Sequence, residues 1–233
     1  IKDWTLDAYR RVLENEMIWR GFLNSFLYSL AFTVISVFVT LLAAYPLSKK
    51  EFVGRKVFNI IFLITMFFGG GMIPTFLLYK QLGLTNSFGV YVIPGMVSAF
   101  NMLVIRTYMN GISDSLEESA QLDGAGYTTI FLKIYSPLCK PVYATVALFV
   151  AVGQWNSWFD AMLYNRMSAN LTTLQYELMK LLSSVTNQGN SVEAMKNAAG
   201  SVTPTSVRAA ATILTMLPVS YTHLRAHETL RHL

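Results

Sequence analysis

Glu117, Glu118 and Asp123 stand just ahead of Gly124 and Gly126 in the stretch Leu116 to Pro137, LEESAQLDGAGYTTIFLKIYSP. Acids grouped this closely can move protons, hold a cation or face a basic partner. Other candidates for chemistry are few. His223 and His227 stand four apart, one helical turn, as zinc-binding histidines do. No third ligand and no Glu partner accompanies them at the spacing of a zinc motif, and all three histidines of the chain lie in this C-terminal stretch. Gly69-Gly70-Gly71 sits in an apolar run, and the sequence contains neither G-x-x-x-x-G-K-[ST] nor a Gly-Lys pair, so no phosphate loop is present. Cys139 is the single cysteine, so no internal disulfide can form. No catalytic residue, metal or cofactor is expected. The acids therefore point to a partner surface.

The elements that must position them are made for lipid. Hydrophobic residues make up 53% of the 233 and charged residues only 13%, with a net charge of +5. A soluble domain carries about 25% charged residues. The basic balance suits loops that face an anionic leaflet, and no basic stripe with interleaved aromatics marks a nucleic-acid partner. Four apolar runs are long enough to cross a bilayer: Phe22 to Leu47, Val57 to Tyr79, Phe88 to Tyr108 and Pro141 to Tyr164. A fifth begins near Val207 and stays apolar only to Val219. The expectation is an all-α polytopic membrane helix bundle with about five spans, the last incomplete. Beyond Pro218, residues 219–233 turn abruptly to His, Arg and Glu; Val219 to Thr229 match a one-frame translation of a transposase-end sequencing adapter, so this tail is expected to be foreign.

Basic residues of short loops are retained in the cytoplasm. The connection Ser48 to Lys56 holds Lys49, Lys50, Arg55 and Lys56, whereas Lys80 to Ser87 holds only Lys80. The first of these is read as cytoplasmic. Alternation then places the loop 109–140 in the cytoplasm, with an amphipathic segment 1–21 and the polar segment 160–206 outside. Lys2, Arg10, Arg11 and Arg20 oppose this reading and are matched by Asp3, Asp7, Glu14 and Glu16.

Within the cytoplasmic loop, Ser115 and Glu118 have the spacing of a capping box, with Leu116 as first helical residue. Gly124 and Gly126 can take the positive φ that stops a helix. A second short helix is predicted from Tyr127 to Tyr135, ended by Ser136 before Pro137. A connection between adjacent helices usually takes about 2–8 residues, and longer ordered ones tend to be functional.

Glu118, Ala120, Gly124, Ile134 and Pro137 fall at the spacing of the EAA loop, and the chain resembles the permease subunits of binding-protein-dependent ABC importers. Asp123-Gly124-Ala125 matches the form common in the carbohydrate branch; Ser119 and Ser136 depart from it. GGGMIPTFLLYKQLGLTNS and GQWNSWFDAML also resemble spans of the maltose-type carbohydrate importers, nearest the aldouronate and complex-oligosaccharide branch. The resemblance covers Leu6 to Pro218 and implies a span ahead of Ile1 and a permease domain over 22–218. It implies that the two short helices dock on a cytoplasmic ATPase, with Glu118 at the contact and Glu117, Ser119, Ala120, Asp123, Gly124, Ala125, Ile134 and Pro137 shaping the docking element. Implied partners are a second permease subunit, two ATP-binding cassette ATPases and an extracellular binding protein, in a bacterial cytoplasmic membrane. The protein itself is then not an enzyme.

Three features bear on a solute path. Ser25, Ser29, Thr33, Ser36 and Thr40 line one face of the first run, either as a packing face of small residues or as a wall of the path. Trp155, Asn156, Trp158, Asp160 and Tyr164 cluster at the outer end of the fourth run, either as an interfacial aromatic belt or as a sugar-facing group. Gly69-Gly70-Gly71 and Pro74 break the second run, as a discontinuous helix or a Pro kink. The expected function is import of a sugar or oligosaccharide. The alternatives are an importer for a non-sugar solute, a channel or secondary carrier, which would want buried charges or an internal repeat, and an intramembrane enzyme, which would want convergent acids at membrane depth.

Overall fold

A computed structural model describes residues 16–189, together with Glu14 and the isolated helical positions Ala209, Thr212, Ile213, Met216 and Ser220. Most of the incomplete fifth run, most of the tail, His223 and His227 included, and most of the segment ahead of Glu16 lie outside the described residues. Among those described, every regular element is helical. They are α1 (Glu16–Ser48), α2 (Arg55–Phe67), α3 (Met72–Gln81), α4 (Ala99–Met109), α5 (Asp114–Leu122), α6 (Tyr127–Ile130), α7 (Lys140–Trp155), α8 (Phe159–Tyr164) and α9 (Leu174–Gly189).

Among the described residues, only α1 is by itself long and apolar enough to cross a membrane. The count rises to three if each of two bent pairs, α2 with α3 and Tyr127–Leu138 with α7, makes one span. The run Phe88 to Tyr108 is not one helix. It opens with a 3-10 turn, Phe88–Tyr91, and becomes α-helical only at Ala99, where the Ser98 hydroxyl accepts from the Asn101 amide at 3.3 Å. Pro94-Gly95 between them breaks the helix. The fourth run also stops early, at Trp155.

The second run is discontinuous rather than Pro-kinked, with α2 and α3 meeting at 113°. Pro74 lies in the first turn of α3, where a missing N–H costs nothing. Gly71 takes φ +86° and makes the break. Neither α2 nor α3 buries a single side chain.

The chain forms two compact units. One comprises residues 29–84 and 88–151. Its core is Ala44 and Leu47 of α1, Met102, Ile105 and Met109 of α4, Ile130, Tyr135 and Cys139 of the 109–140 loop, and Val142, Val146 and Val150 of α7. Asn59 ties α2 to this core by accepting from Arg106 Nη1 at 2.7 Å. Thr40 and Ser36 are fully buried one and two turns ahead of Ala44. Small residues on that face let helices approach closely, which matters where burial from lipid gives little driving force.

The other unit comprises the N-terminal part of α1, residues 85–87 and the chain from Val152. Ile18, Trp155, Leu174 and Leu178 form its core. Here α1 holds the strip 170–174, a 3-10 turn leading into α9, by its backbone. Asn24 Nδ2 donates to the carbonyls of Asn170 at 2.7 Å and Thr172 at 3.0 Å. Tyr28 Oη donates to Leu171 O at 3.3 Å, and Ser25 Oγ accepts from the Leu174 amide at 2.9 Å.

Candidate functional site

The 109–140 loop folds as two short helices around a glycine turn. The first starts at Asp114 rather than Leu116, and its cap is Ser113, whose hydroxyl accepts from the Ser115 amide at 3.4 Å. Ser115 is thus inside the helix, and its carbonyl accepts from Ser119 Oγ at 2.8 Å. The shift frees Glu118 from any capping role. At the far end, Gly124 N–H donates to Gln121 O at 3.0 Å and Ala125 N–H to Ala120 O at 2.9 Å. This pair of bonds is a Schellman stop, which places its pivot residue in left-handed geometry. Gly124 supplies it with φ +79°, whereas Gly126 stays extended at φ −75° and opens α6.

Pro137 does not end the second helix. The backbone passes through a π-helical stretch, Phe131–Tyr135, and a further α turn, Ser136–Leu138. Ser136 is itself helical at φ −61°, and its N–H reaches back to Phe131 O. The wider turn offers a place for a residue that has no N–H to give. The direction changes only after Leu138, by 74° into α7.

The loop has two faces. Ala120, Ala125, Ile130, Phe131 and Ile134 pack on the core. Glu118, Asp123, Gly124 and Leu122 face outward, and Leu122 is 90% exposed. Glu118 and Leu122 are four apart, so an acid and an apolar knob share one side of α5. An exposed leucine on a short acidic helix is a signal the sequence reading passed over.

The neighbouring acid behaves differently. Glu117 turns inward and pairs with Lys49 just past α1, and Tyr135 Oη donates to the same carboxylate oxygen at 2.9 Å. Lys50 pairs with Asp114 at 2.8 Å in an exposed contact. That hydrogen bond and charge hold the Asp114 carboxyl below the usual carboxylate range and raise Lys50. The contribution of Asp114 is therefore complete at neutral pH and is lost as pH falls through its depressed folded pKa.

The residues suggested for a solute path fall in both compact units, Ser29, Thr33 and Ser36 in one and Asn156 and Asp160 in the other. Ser29 and Ser36 are buried, and Ser29 Oγ donates to Ala151 O at 3.0 Å. Thr33 carries a buried hydroxyl with no bond in the described structure. In the other unit, Trp155 is a core residue rather than part of a belt, with its ring 5.6 Å from Phe22 and edge-on to it. Asn156 is exposed and accepts from Gln175 Nε2 at 3.2 Å, while Asp160 accepts from Ser157 Oγ at 3.2 Å.

The chain is 40% identical over 166 residues to the polygalacturonan/rhamnogalacturonan transport system permease protein YtcP of Bacillus subtilis, covering 71% of this chain and 58% of that one. It is 39% identical over 168 residues to LplC of the same organism, covering 72% and 57%. It thus spans less than two thirds of the length of these relatives. Among solved structures, a bacterial ABC transporter involved in the import of the acidic polysaccharide alginate has a chain that matches with a TM-score of 0.87 and 34% identity, covering 97% of this chain and 80% of that one. Residues 16–219 match the family described as the binding-protein-dependent transport system inner membrane component, and the chain belongs to that family.

Proposed function

We propose that this chain is the membrane-spanning permease subunit of an ATP-driven importer for a sugar or oligosaccharide delivered by an extracellular binding protein. The observation that carries the reading is the 109–140 loop: a helix, a left-handed glycine and a second helix, with its outer face left to Glu118, Leu122 and Asp123. Such a face fits a cleft on a soluble partner. The sequence carries no nucleotide-binding loop, so hydrolysis belongs to separate ATPase subunits, two of them, with a second permease completing the path. The names of the relatives support a carbohydrate cargo. In a reconstituted complex, the loaded binding protein should stimulate ATP hydrolysis several-fold, and a complex indifferent to it would overturn the importer reading.

The chain crosses the bacterial cytoplasmic membrane several times, with Lys50 and Gln121 inside and Lys180 outside. Single cysteines at these positions in a Cys139→Ala background test this. On intact cells an impermeant thiol reagent should label position 180 alone. Labelling at 50 or 121 without 180 would reverse the orientation. Asn156 and Asp160, both near the non-helical break after α7, are the candidates for contact with solute. Ser29, Thr33 and Ser36 serve packing in this reading, because two of the three are buried.

A further inference from the structure

Four side chains between Tyr45 and Glu51 reach the coupling loop, at Asp114, Glu117, Tyr127, Phe131 and Tyr135. Lys49 pairs with Glu117 on α5, and its ammonium lies 3.7 Å from the centroid of the Tyr135 ring and 4.7 Å from that of Tyr45. Tyr45 Oη donates to the Tyr127 carbonyl at 3.1 Å, and its ring lies tilted against Phe131 at 4.8 Å and edge-on to Tyr135 at 5.4 Å between centroids. Ser48 Oγ closes on the Tyr45 carbonyl at 2.7 Å, fixing the last turn of α1. Tyr127 Oη donates to Glu51 at 3.0 Å, and Lys50 bonds Asp114.

These contacts are not equal. The pairs of Lys50 and Glu51 are exposed, and exposed pairs contribute little. The Lys49 and Glu117 side chains are only 14% and 13% exposed. A charge pair withdrawn from water, bridged by a hydroxyl and covered by two aromatic faces, is costly to break from one side, because the remaining charge keeps its desolvation penalty. Glu117 and Glu118 are adjacent, about 100° apart around the helix. One acid is thereby committed to the end of α1, and the next is left to face a partner.

We infer that Glu117 is a positioning residue: with Lys49 and Tyr135 it fastens the coupling loop to the C-terminal end of α1, so that a displacement imposed on the loop is carried into α1 instead of being absorbed by the hinge at Gly124. The inference rests on the coupling reading of the loop. It assigns to Glu117 and Lys49 a role in transmission, distinct from docking by Glu118.

The test uses the intact transporter and reads three quantities together: ATPase copurification, ATP hydrolysis with loaded binding protein, and uptake per ATP hydrolysed. Glu117→Gln should keep copurification within about twofold and lower uptake per ATP by about tenfold, a shift within the usual range of site-to-site coupling. Lys49→Met should do the same. The double variant Lys49→Met/Glu117→Met should regain most of the ratio, since neither charge is left unpaired and thioethers pack well on aromatic rings. A merely structural role would lower the amount of assembled complex and leave uptake per ATP unchanged, and that result overturns the inference. Where Glu117→Gln fails to assemble, Tyr135→Phe removes only the bridging hydroxyl and is read by the same ratio; an unchanged ratio is again fatal. Glu118→Lys distinguishes the two levels. If it releases the ATPase while Glu117→Gln stays coupled, transmission through Glu117 fails alone; if it too leaves binding intact, the docking reading falls with it.

Discussion

Gly124→Val should, on the coupling reading proposed for the loop, insert normally yet lower uptake by about tenfold or more, with the ATPase either lost from the membrane or hydrolysing without response to the loaded binding protein. The cause is backbone geometry. Gly124 holds φ +79°, and a Cβ built there meets nothing within 4 Å. Crowding is therefore not the issue, and the whole effect comes from a conformation that costs a β-branched residue about 1–3 kcal/mol. That origin makes a graded series decisive. Asn tolerates left-handed geometry and should retain most activity, Ala should be intermediate and Val worst. A series ordered by side-chain volume instead would point to contact with the partner. Glu118→Lys acts on the outer face of the same helix, and reversing an interfacial charge there should weaken association by about 2–5 kcal/mol. If Gly124→Val and Glu118→Lys both keep full ATPase binding and wild-type uptake, the loop is a passive connector.

The bend at Gly124 was legible because its signal is local: a glycine at the end of a short polar helix, ahead of an apolar one. The start of that helix was less so. Ser113 and Ser115 both precede an acid three residues on or nearby, and choosing between them needs the hydroxyl geometry, which placed the cap at Ser113. Glu117 was singled out only as part of the docking element, and its pairing with Lys49 had no signature, since that partner lies 68 residues away in sequence. Lys49 was read only as a topological charge. Hydropathy likewise overstated Phe88 to Tyr108, where composition suggested one span and Pro94-Gly95 with the Ser98 cap divided it. The hydroxyl stripe of α1 was found by periodicity, but periodicity marks a face without saying what covers it. Trp155 shows the same limit: an aromatic near a helix end can anchor at an interface or, as here, fill a core.

Gly21→Ala should destabilise the unit built on the N-terminal part of α1 by about 1–3 kcal/mol, the usual cost of added atoms in a packed site, and Gly21→Val by more. A Cβ at Gly21 would lie 3.2 Å from both Cα and N of Leu174 and 3.3 Å from the Thr173 carbonyl carbon. All three are backbone atoms, so no side-chain rotation can relieve the contact. The strip must move away from α1, and its ties are short. Displacement lengthens the bond from the Leu174 amide to Ser25 and both bonds from Asn24, each contributing about 1 kcal/mol. Gly153→Ala supplies the control, because a Cβ there meets nothing within 4 Å. Exchanging a helical glycine for alanine in open space should be neutral or stabilise by up to about 1 kcal/mol. Thermal unfolding of the purified permease in detergent would measure the pair, with the Gly21 variants melting lower and Gly153→Ala at or above the parent. Equal losses at both positions would mean that the close approach of α1 to Thr173 and Leu174 does not hold this unit together. A loss confined to Gly21 would show that the strip from Asn170 to Leu174, which links a short 3-10 turn to the start of α9, takes its shape from the face of α1.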